Sequence, residues 1–415
     1  MSKITKITSR EIIDSRGVPT LETTVLLDDG ASGIASIPSG ASTGTHEALE
    51  LRDNDPKRFQ GKGVLKAVEN VEKIISKLLN GYDATDQEGV DRLMINMDAT
   101  PNKSKLGANS ILSVSIAVCR AAAKSEKTDL FRYLNKISGI SMDVSRHPVP
   151  FFNVINGGMH GTGKLSIQEF IIAVENTSSF SKSLELGVNF YHDLKKLLKG
   201  RSLITSVGDE GGFTPEFTDD RKALDILTFL IQSNSFYQKH IHLALDLAAG
   251  VYYQNGRYLI NDKFYSPDEY LDYLLDLYHK YKLISLEDPF PEDNWEEWSG
   301  FMKIVEGKAQ VVGDDLLVTN PERLARAIKE KACNSILIKL NQIGSLSETL
   351  DVIKLAQKNN FKVVISHRSG ETNDSFIADL AVAVNADMVK FGAPVRGERV
   401  AKYNRLLEIY SGKQT

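Results

Sequence analysis

Asn334-Ser335-Ile336-Leu337-Ile338-Lys339 and Lys362-Val363-Val364-Ile365-Ser366-His367 decide how this chain folds. Each is a short apolar run rich in β-branched residues, closed by a polar residue and followed by an amphipathic stretch. The pattern of strand, polar residue and helix recurs at Ile241 to Leu245, Lys282 to Leu286, Gln310 to Gly313 and Asp387 to Val389. The residues closing these runs stand at 246, 287, 314, 339, 367 and 390, between 23 and 41 residues apart. A (β/α)8 barrel of about 250 residues allots roughly 30 to each strand and helix, so an α/β barrel is expected here.

Upstream, residues 18 to 37 read as strands around an Asp28-Asp29-Gly30 turn, followed by a Gly- and Ser-rich loop and periodic helices through about 135. Gly63 to Leu79 and the small-residue run Ala108 to Ala123 carry the clearest helical signals. The segment Gly139 to Pro150 mixes turn formers with two prolines and marks a boundary. The expected organisation is an N-terminal α+β capping domain over 1–138 and a catalytic barrel over 139–415.

With 415 residues, 42% hydrophobic and 25% charged, the composition is globular and excludes the disordered and fibrous classes. A formal net charge of -4 offers no electrostatic footprint for nucleic acid or an anionic membrane, so a small-molecule partner is expected. The first residues lack an apolar core of secretory length, and nowhere do about 18 apolar residues run together. A cytoplasmic protein without a membrane span is expected. Cys119 and Cys333 are too few for a disulfide framework or zinc cluster and should be buried and inert.

The closing residues are Asp246, Glu287, Asp314, Lys339, His367 and Lys390. In a barrel of parallel strands, the C-terminal ends converge on one face, so these six would surround one pocket. A single Asp after a strand is commonly no more than a helix N-cap. A lysine cannot cap an N-terminus, and six ionisable residues at successive strand ends call for another account. Three carboxylates from separate strands suit a hard divalent cation such as Mg²⁺, which takes oxygen ligands and keeps positions open for water or substrate. His240 and His242 alternate onto one face of a strand, but no third ligand lies near them in sequence, and they read as ordinary surface or interface histidines. Arg368, directly after a strand, is well shaped for bidentate phosphate binding. Taken alone, Gly40 to Gly44 reads as a flexible loop and His160 as a surface loop histidine.

Several strings extend this reading. Ile336 to Ser345 resembles the signature of the enolase family, and Ser366-His367-Arg368-Ser369-Gly370-Glu371-Thr372 stands where that family carries the same string. Further matches are Asp14 to Gly17, Pro38 to Gly44, Asn153 to Gly158, Gln168 to Phe170, Gly208 to Phe213, Glu287 to Phe290 and Lys390 to Pro394. They run in order from about residue 4 to about residue 409. The resemblance implies reversible dehydration of 2-phosphoglycerate to phosphoenolpyruvate in glycolysis or gluconeogenesis, with two Mg²⁺ per active site and a homodimer or higher homo-oligomer.

By that resemblance, Asp246, Glu287 and Asp314 correspond to the ligands of the first magnesium, and Ser42 lies in the loop closing over the second. Glu287 and Asp314 also border the substrate. Lys339 corresponds to the base at carbon 2 and Glu210 to the acid at the departing hydroxyl, assisted by Glu169, with Gln168 beside it. His160 is similar to a histidine of a closing loop, and His367 falls within the catalytic string. Arg368 and Ser369 resemble the phosphate-binding pair, Ser366 stands among the substrate-binding residues, and Lys390 resembles the cation that contacts substrate near the base. Removing a proton beside a carboxylate creates a dianionic enediolate, and enolase-superfamily sites meet that charge by pairing a Lys or His base with one or two Mg²⁺. Lys339 must be neutral to act, and magnesium and Lys390 are expected to lower its pKa.

The chain departs from the family pattern at Val18, at Gly250-Val251 and in its Tyr410-Ser411-Gly412-Lys413 tail, none of which holds a catalytic assignment. A relative acting on another phospho- or phosphono-carboxylate, a different superfamily reaction and a non-catalytic scaffold are the alternatives. A scaffold would be expected to have lost one of these ionisable residues, and none is lost.

Overall fold

The structure is a computed structural model describing residues 2–40, 44–161, 165–305 and 307–412, the side chain of His160 excepted. Strands β1 (Ile4–Ile13), β2 (Pro19–Leu27) and β3 (Ser32–Ser36) form an antiparallel sheet in that order. The helix Ala108–Ser125 lies against it. Its small side chains permit a close approach: a Cβ on Gly33 of β3 would fall 2.0 Å from the Ala117 carbonyl oxygen. Any larger residue would push strand and helix apart. The buried hydroxyls created by this packing are paired, Thr23 donating to Ser113 at 2.7 Å and Ser113 to the Ser110 carbonyl at 2.9 Å.

The remaining strands are β4 (Val149–Asn156), β5 (Glu169–Val174), β6 (Ile241–Asp246), β7 (Tyr253–Gln254), β8 (Arg257–Ile260), β9 (Lys263–Tyr265), β10 (Ser285–Glu287), β11 (Gln310–Gly313), β12 (Ser335–Ile338), β13 (Lys362–Ser366) and β14 (Met388–Lys390). Eight of them close a barrel in the order β10-β11-β12-β13-β14-β4-β5-β6. The expected barrel is therefore present. Strands β7 to β9 form a separate antiparallel sheet inserted between β6 and β10. That insertion accounts for the long interval between positions 246 and 287.

The expectation that all barrel strands run parallel is corrected at β5, which pairs antiparallel with both β4 and β6. A direct return from β4 without a helical crossover reverses the chain, as in any hairpin. The reversal has a chemical consequence: the first residue of β5, Glu169, lies beside Asp246, the last residue of β6. Both carboxylates thus reach the same rim.

Phe151, Ile171, Ala173, Ala244, Val312, Leu337, Val364 and Met388 pack together as the barrel's own apolar cluster. Side chains on a strand alternate between faces, so residues two positions toward the rim also point inward. Leu337 is followed at that spacing by Lys339, Val312 by Asp314, Ala244 by Asp246, Val364 by Ser366 and Met388 by Lys390. On the reversed β5, Ile171 is preceded by Glu169. One periodicity thus builds the apolar plug and the ionisable rim above it.

The sheet domain meets that rim through charge. Glu47 receives a bidentate pair from Arg368 at 2.9 and 3.2 Å, and Arg16 donates to the Ser369 hydroxyl at 3.3 Å. Behind them, Arg120 forks onto Asp374 at 2.5 and 2.7 Å.

Candidate active site

The mouth of the barrel holds a small, largely polar cavity. Gln168, Glu169, Glu210, Asp246, Asp314, Lys339, Ser366, His367, Arg368, Ser369 and Lys390 line it, so the structure brings most of the expected residues together. Glu287 does not line it directly but bonds the lining Lys390 through both oxygens at 2.8 and 2.9 Å. Ser42 falls outside the described residues. The His160 backbone ends a short turn, Gly158–His160, and its side chain lies outside what is described.

Lysine–carboxylate pairing dominates the electrostatics. Lys390 Nζ also donates to Asp246 at 2.9 Å and lies 3.3 Å from Glu169, so one ammonium gathers three carboxylates. Burial alone would lower the Lys390 pKa, but those carboxylates raise it well above the ordinary lysine value. Lys339 donates to Asp314, whose other oxygen accepts from Gln342 at 2.8 Å. Burial, the largest single influence, pulls the Lys339 pKa down, yet the carboxylates around it, Asp314 first and then Glu287, together hold it above the usual value. The expected lowering by Lys390 is present but is outweighed by these carboxylates. Arg368 and Lys390 oppose the ammonium, each by less than Asp314 favours it.

Asp314 belongs to a second carboxylate group, since ligand oxygens from Asp288, Asp314 and Asp315 all lie within 4.8 Å of one another. Asp288 holds this turn together, accepting from the Asp314 and Asp315 amides at 3.0 and 2.8 Å. Burial, then the neighbouring carboxylates, pushes Asp315 up to about 7 and lifts Asp288 well above its ordinary range. Glu287 is raised for the same reasons, with Asp246 as the nearest cause after burial. Hard oxygen donors crowded beyond what the two lysines neutralise are a donor set suited to a divalent cation of the Mg²⁺ type. The residues present therefore fit such an ion, with Asp314 common to the expected set and to this cluster.

Across the mouth, Glu210 Oε2 accepts from Asn153 Nδ2 of β4 at 2.9 Å and lies 3.7 Å from His367 Nε2. Burial holds the His367 pKa well below the ordinary histidine value, against the pull of Glu210. Gln168 donates to Asp246 at 3.4 Å. Ser366 donates to the His367 carbonyl at 2.9 Å. Arg368 also donates to Asn341 at 3.0 Å.

Sequence reasoning missed Glu47, Asn153, Asp288 and Asp315. Asp288 and Asp315 each directly follow an expected ligand, so doubled acids after a strand were the available signal. Asn153 opens the family-like stretch Asn153 to Gly158, and only the fold brings it to Glu210. His240 and His242 flank Ile241 without joining any carboxylate cluster, His240 bonding the Glu175 carbonyl at 3.0 Å. Both cysteines are free and buried, and burial raises both thiols.

Among known families, residues 4–134 match the one described as the enolase N-terminal domain. Residues 145–412 match the enolase C-terminal TIM barrel domain.

Proposed function

The chain belongs to the enolase family and is thus an enzyme of the enolase superfamily; from that premise we propose that it is a phosphopyruvate hydratase, interconverting 2-phosphoglycerate and phosphoenolpyruvate plus water. The observation that carries this reading is the division of the pocket. Lys339 follows β12, whereas Glu169 opens β5, four strands away around the closed barrel, and Glu210 is tied to the adjoining β4. A base and an acid on facing sides of a substrate suit an elimination in which proton and hydroxyl leave in opposite directions.

In this reading Lys339, as the neutral amine, takes the proton from carbon 2. The electron pair left behind becomes the carbon 2–carbon 3 double bond as the carbon 3–oxygen bond breaks. Glu210 delivers its proton to the departing hydroxyl, giving water, with Glu169, His367 and the loop histidine His160 assisting on that side. Arg368 and Ser369 hold the phosphate, while Ser366, Gln168 and Lys390 orient the rest of the substrate.

Asp246, Glu287 and Asp314, with Ser42 over a second ion, would hold two Mg²⁺, and Asp288 and Asp315 widen the oxygen donor set. When bound, these ions supply positive charge against the growing charge on the substrate carboxylate. An Asp314 engaged by a cation would also hold Lys339 less tightly as an ammonium. The reading places the chain in the cytoplasm as a homodimer or larger homo-oligomer, divided at residues 138 and 139. None of the described helices is long and apolar enough to cross a membrane.

The test is to follow phosphoenolpyruvate absorbance from 2-phosphoglycerate with and without Mg²⁺. Turnover only with the ion is expected, and no turnover in either condition overturns the assignment.

A further inference from the structure

Arg399 lies in the helix Gly397–Tyr410, is fully buried, and points at the acid side of the pocket. Its Nη1 lies 2.6 Å from His367 Nδ1 and donates to the Arg368 carbonyl at 2.5 Å. Its Nη2 donates to the Ser369 carbonyl at 2.7 Å and to the Asp209 carbonyl at 3.0 Å. The nearest carboxylate, Glu398, is 3.5 Å from Nε and is itself engaged by Arg396 at 2.7 Å. A buried guanidinium is thus directed chiefly at a ring nitrogen and three backbone carbonyls.

The contact with the ring nitrogen fixes the histidine's tautomer. A guanidinium carries only N–H donors, so His367 Nδ1 must present its lone pair. The ring proton then resides on Nε2, which faces Glu210 Oε2. A second observation shows that this stack is built closely: Gly392 has φ +87, and a Cβ there would fall 3.0 Å from Arg399 Cδ, 3.0 Å from His367 Cε1 and 2.8 Å from the Glu210 carbonyl oxygen. No side chain fits between the three groups.

We propose that Arg399 is a positioning residue that fixes His367 as the neutral Nε2–H imidazole aimed at Glu210 and ties the loop bearing Glu210 to the His367–Ser369 segment. The proposal rests on the reading of Glu210 as the acid. Glu210 Oε2 accepts from Asn153 Nδ2 at 2.9 Å, and the Nε2–H of His367 faces the same oxygen from 3.7 Å, close enough to orient the carboxyl as the mouth closes. His367 orients the acid and does not itself deliver a proton. Burial, reinforced by the Arg399 charge, also disfavours the imidazolium.

The full-length protein labelled with ¹⁵N-histidine tests this by NMR, with a His367→Asn sample to assign the ring among the eight histidines. Around neutral pH the wild-type ring is expected to show a protonated Nε2 and a bare Nδ1. A proton on Nδ1, or on both nitrogens, overturns the proposal without reference to activity. Arg399→Lys, whose ammonium is also a pure donor, should keep the tautomer, whereas Arg399→Met should release it into a mixture. In deuterated water, Arg399→Met should slow dehydration of 2-phosphoglycerate by about 10- to 100-fold, the range seen when a group orienting an active-site ligand is lost. Exchange of the carbon-2 proton and KM should change little, and Arg399→Lys should recover part of the loss. Equal loss of exchange and dehydration makes Arg399 a structural residue only and sinks the proposal. If Arg399→Met does not fold, the wild-type spectrum and the Arg399→Lys rates still decide. A wild-type protein inactive on 2-phosphoglycerate but showing the Nε2–H ring would fail the functional assignment and leave the tautomer standing.

Discussion

The two sides of the pocket are held by different means. Lys339 and Asp314 directly follow β12 and β11, so the barrel's hydrogen-bond ladder sets where they emerge. Local bonds only refine this, such as Lys339 N donating to Thr319 Oγ1 at 3.0 Å. Glu210 sits on the connection between the helices Phe180–Gly200 and Asp220–Gln232, where only isolated bridges, Val207 with Phe213 and Ile155 with Phe213, give regular pairing. Its place is set by individual tethers: Asn153 on the carboxylate, Tyr191 OH donating to the Gly211 carbonyl at 2.7 Å, and Arg399 on the Asp209 carbonyl. A ladder distributes position over many bonds, while tethers concentrate it in a few side chains. Damage to the base side should therefore come from losing the reacting groups themselves, and damage to the acid side also from residues that never touch substrate.

The largest effects test the base side. A chelator is expected to abolish turnover and excess Mg²⁺ to restore it, because carboxylates crowded at the rim need a counter-cation that two lysines do not supply. Activity surviving exhaustive dialysis against EDTA removes the ion from the reading. Lys339→Ala is expected to eliminate both dehydration and carbon-2 proton exchange with deuterated water while leaving the thermal transition close to wild type. Undiminished exchange moves the base elsewhere.

Next in size is Glu210→Gln, which should separate the two sides. Dehydration is expected to fall by about 10²- to 10⁴-fold, the usual contribution of a general acid. Proton exchange at carbon 2 should persist, since Lys339 is untouched across the mouth. Measuring both rates by proton NMR on one preparation gives the ratio. Loss in equal proportion would mean a concerted reaction or a role for Glu210 in positioning, and its assignment as the acid would fall.

The same contrast governs what the sequence disclosed. Strands such as Ser335–Ile338 and Lys362–Ser366 were legible to the residue, because each is a short β-branched run closed by a polar group. The strand closed by Glu287 begins at Ser285 and not at Lys282, which instead ends the preceding helix in a left-handed conformation at φ +52. Strands β4 and β5 were not legible as strands: Glu169–Val174 is buried throughout, and a continuous apolar run has no alternation to distinguish strand from buried helix. With β5 unseen, its reversal was invisible, although Glu169 itself was found by motif. Strand β1 was hidden for the opposite reason, its irregular mix of exposed and buried residues lacking a clean period of two. Gly63 to Leu79 did prove helical from Leu65 to Leu79, with a π turn at Val71–Ile75 that periodicity cannot register. Asn153 and Arg399 act through tertiary proximity alone, and no local pattern announces that.

The smallest predicted effect probes a tether on the approach to β5. Asp220 is fully buried; one of its oxygens accepts from the Ser166 and Ile167 amides at 2.9 and 3.2 Å, and the other from Tyr273 OH at 3.2 Å. It thereby pins the chain leading into Gln168 and Glu169. Burial pushes its pKa from the ordinary 3.8 to about 6, the three hydrogen bonds only partly opposing this, and no cation is among the main causes. The folded protein therefore binds this proton more tightly than the unfolded chain does. Stability from the shift is fully present below about 3.8 and is lost as pH rises through about 6. The total is on the order of 3 kcal/mol, at 1.36 kcal/mol per pKa unit. Asp220→Asn keeps an oxygen for the two amides and offers Tyr273 a neutral partner, so it mimics the protonated acid at every pH. Other titrating groups are common to both proteins and cancel in the difference. Denaturant unfolding from about pH 4 to about pH 7 should therefore show the wild type losing stability relative to Asp220→Asn by up to that amount, with little change in turnover at neutral pH. A stability difference that stays flat across this window would show that Asp220 is ionised throughout, and that its hydrogen bonds hold the entry to β5 as a charged anchor.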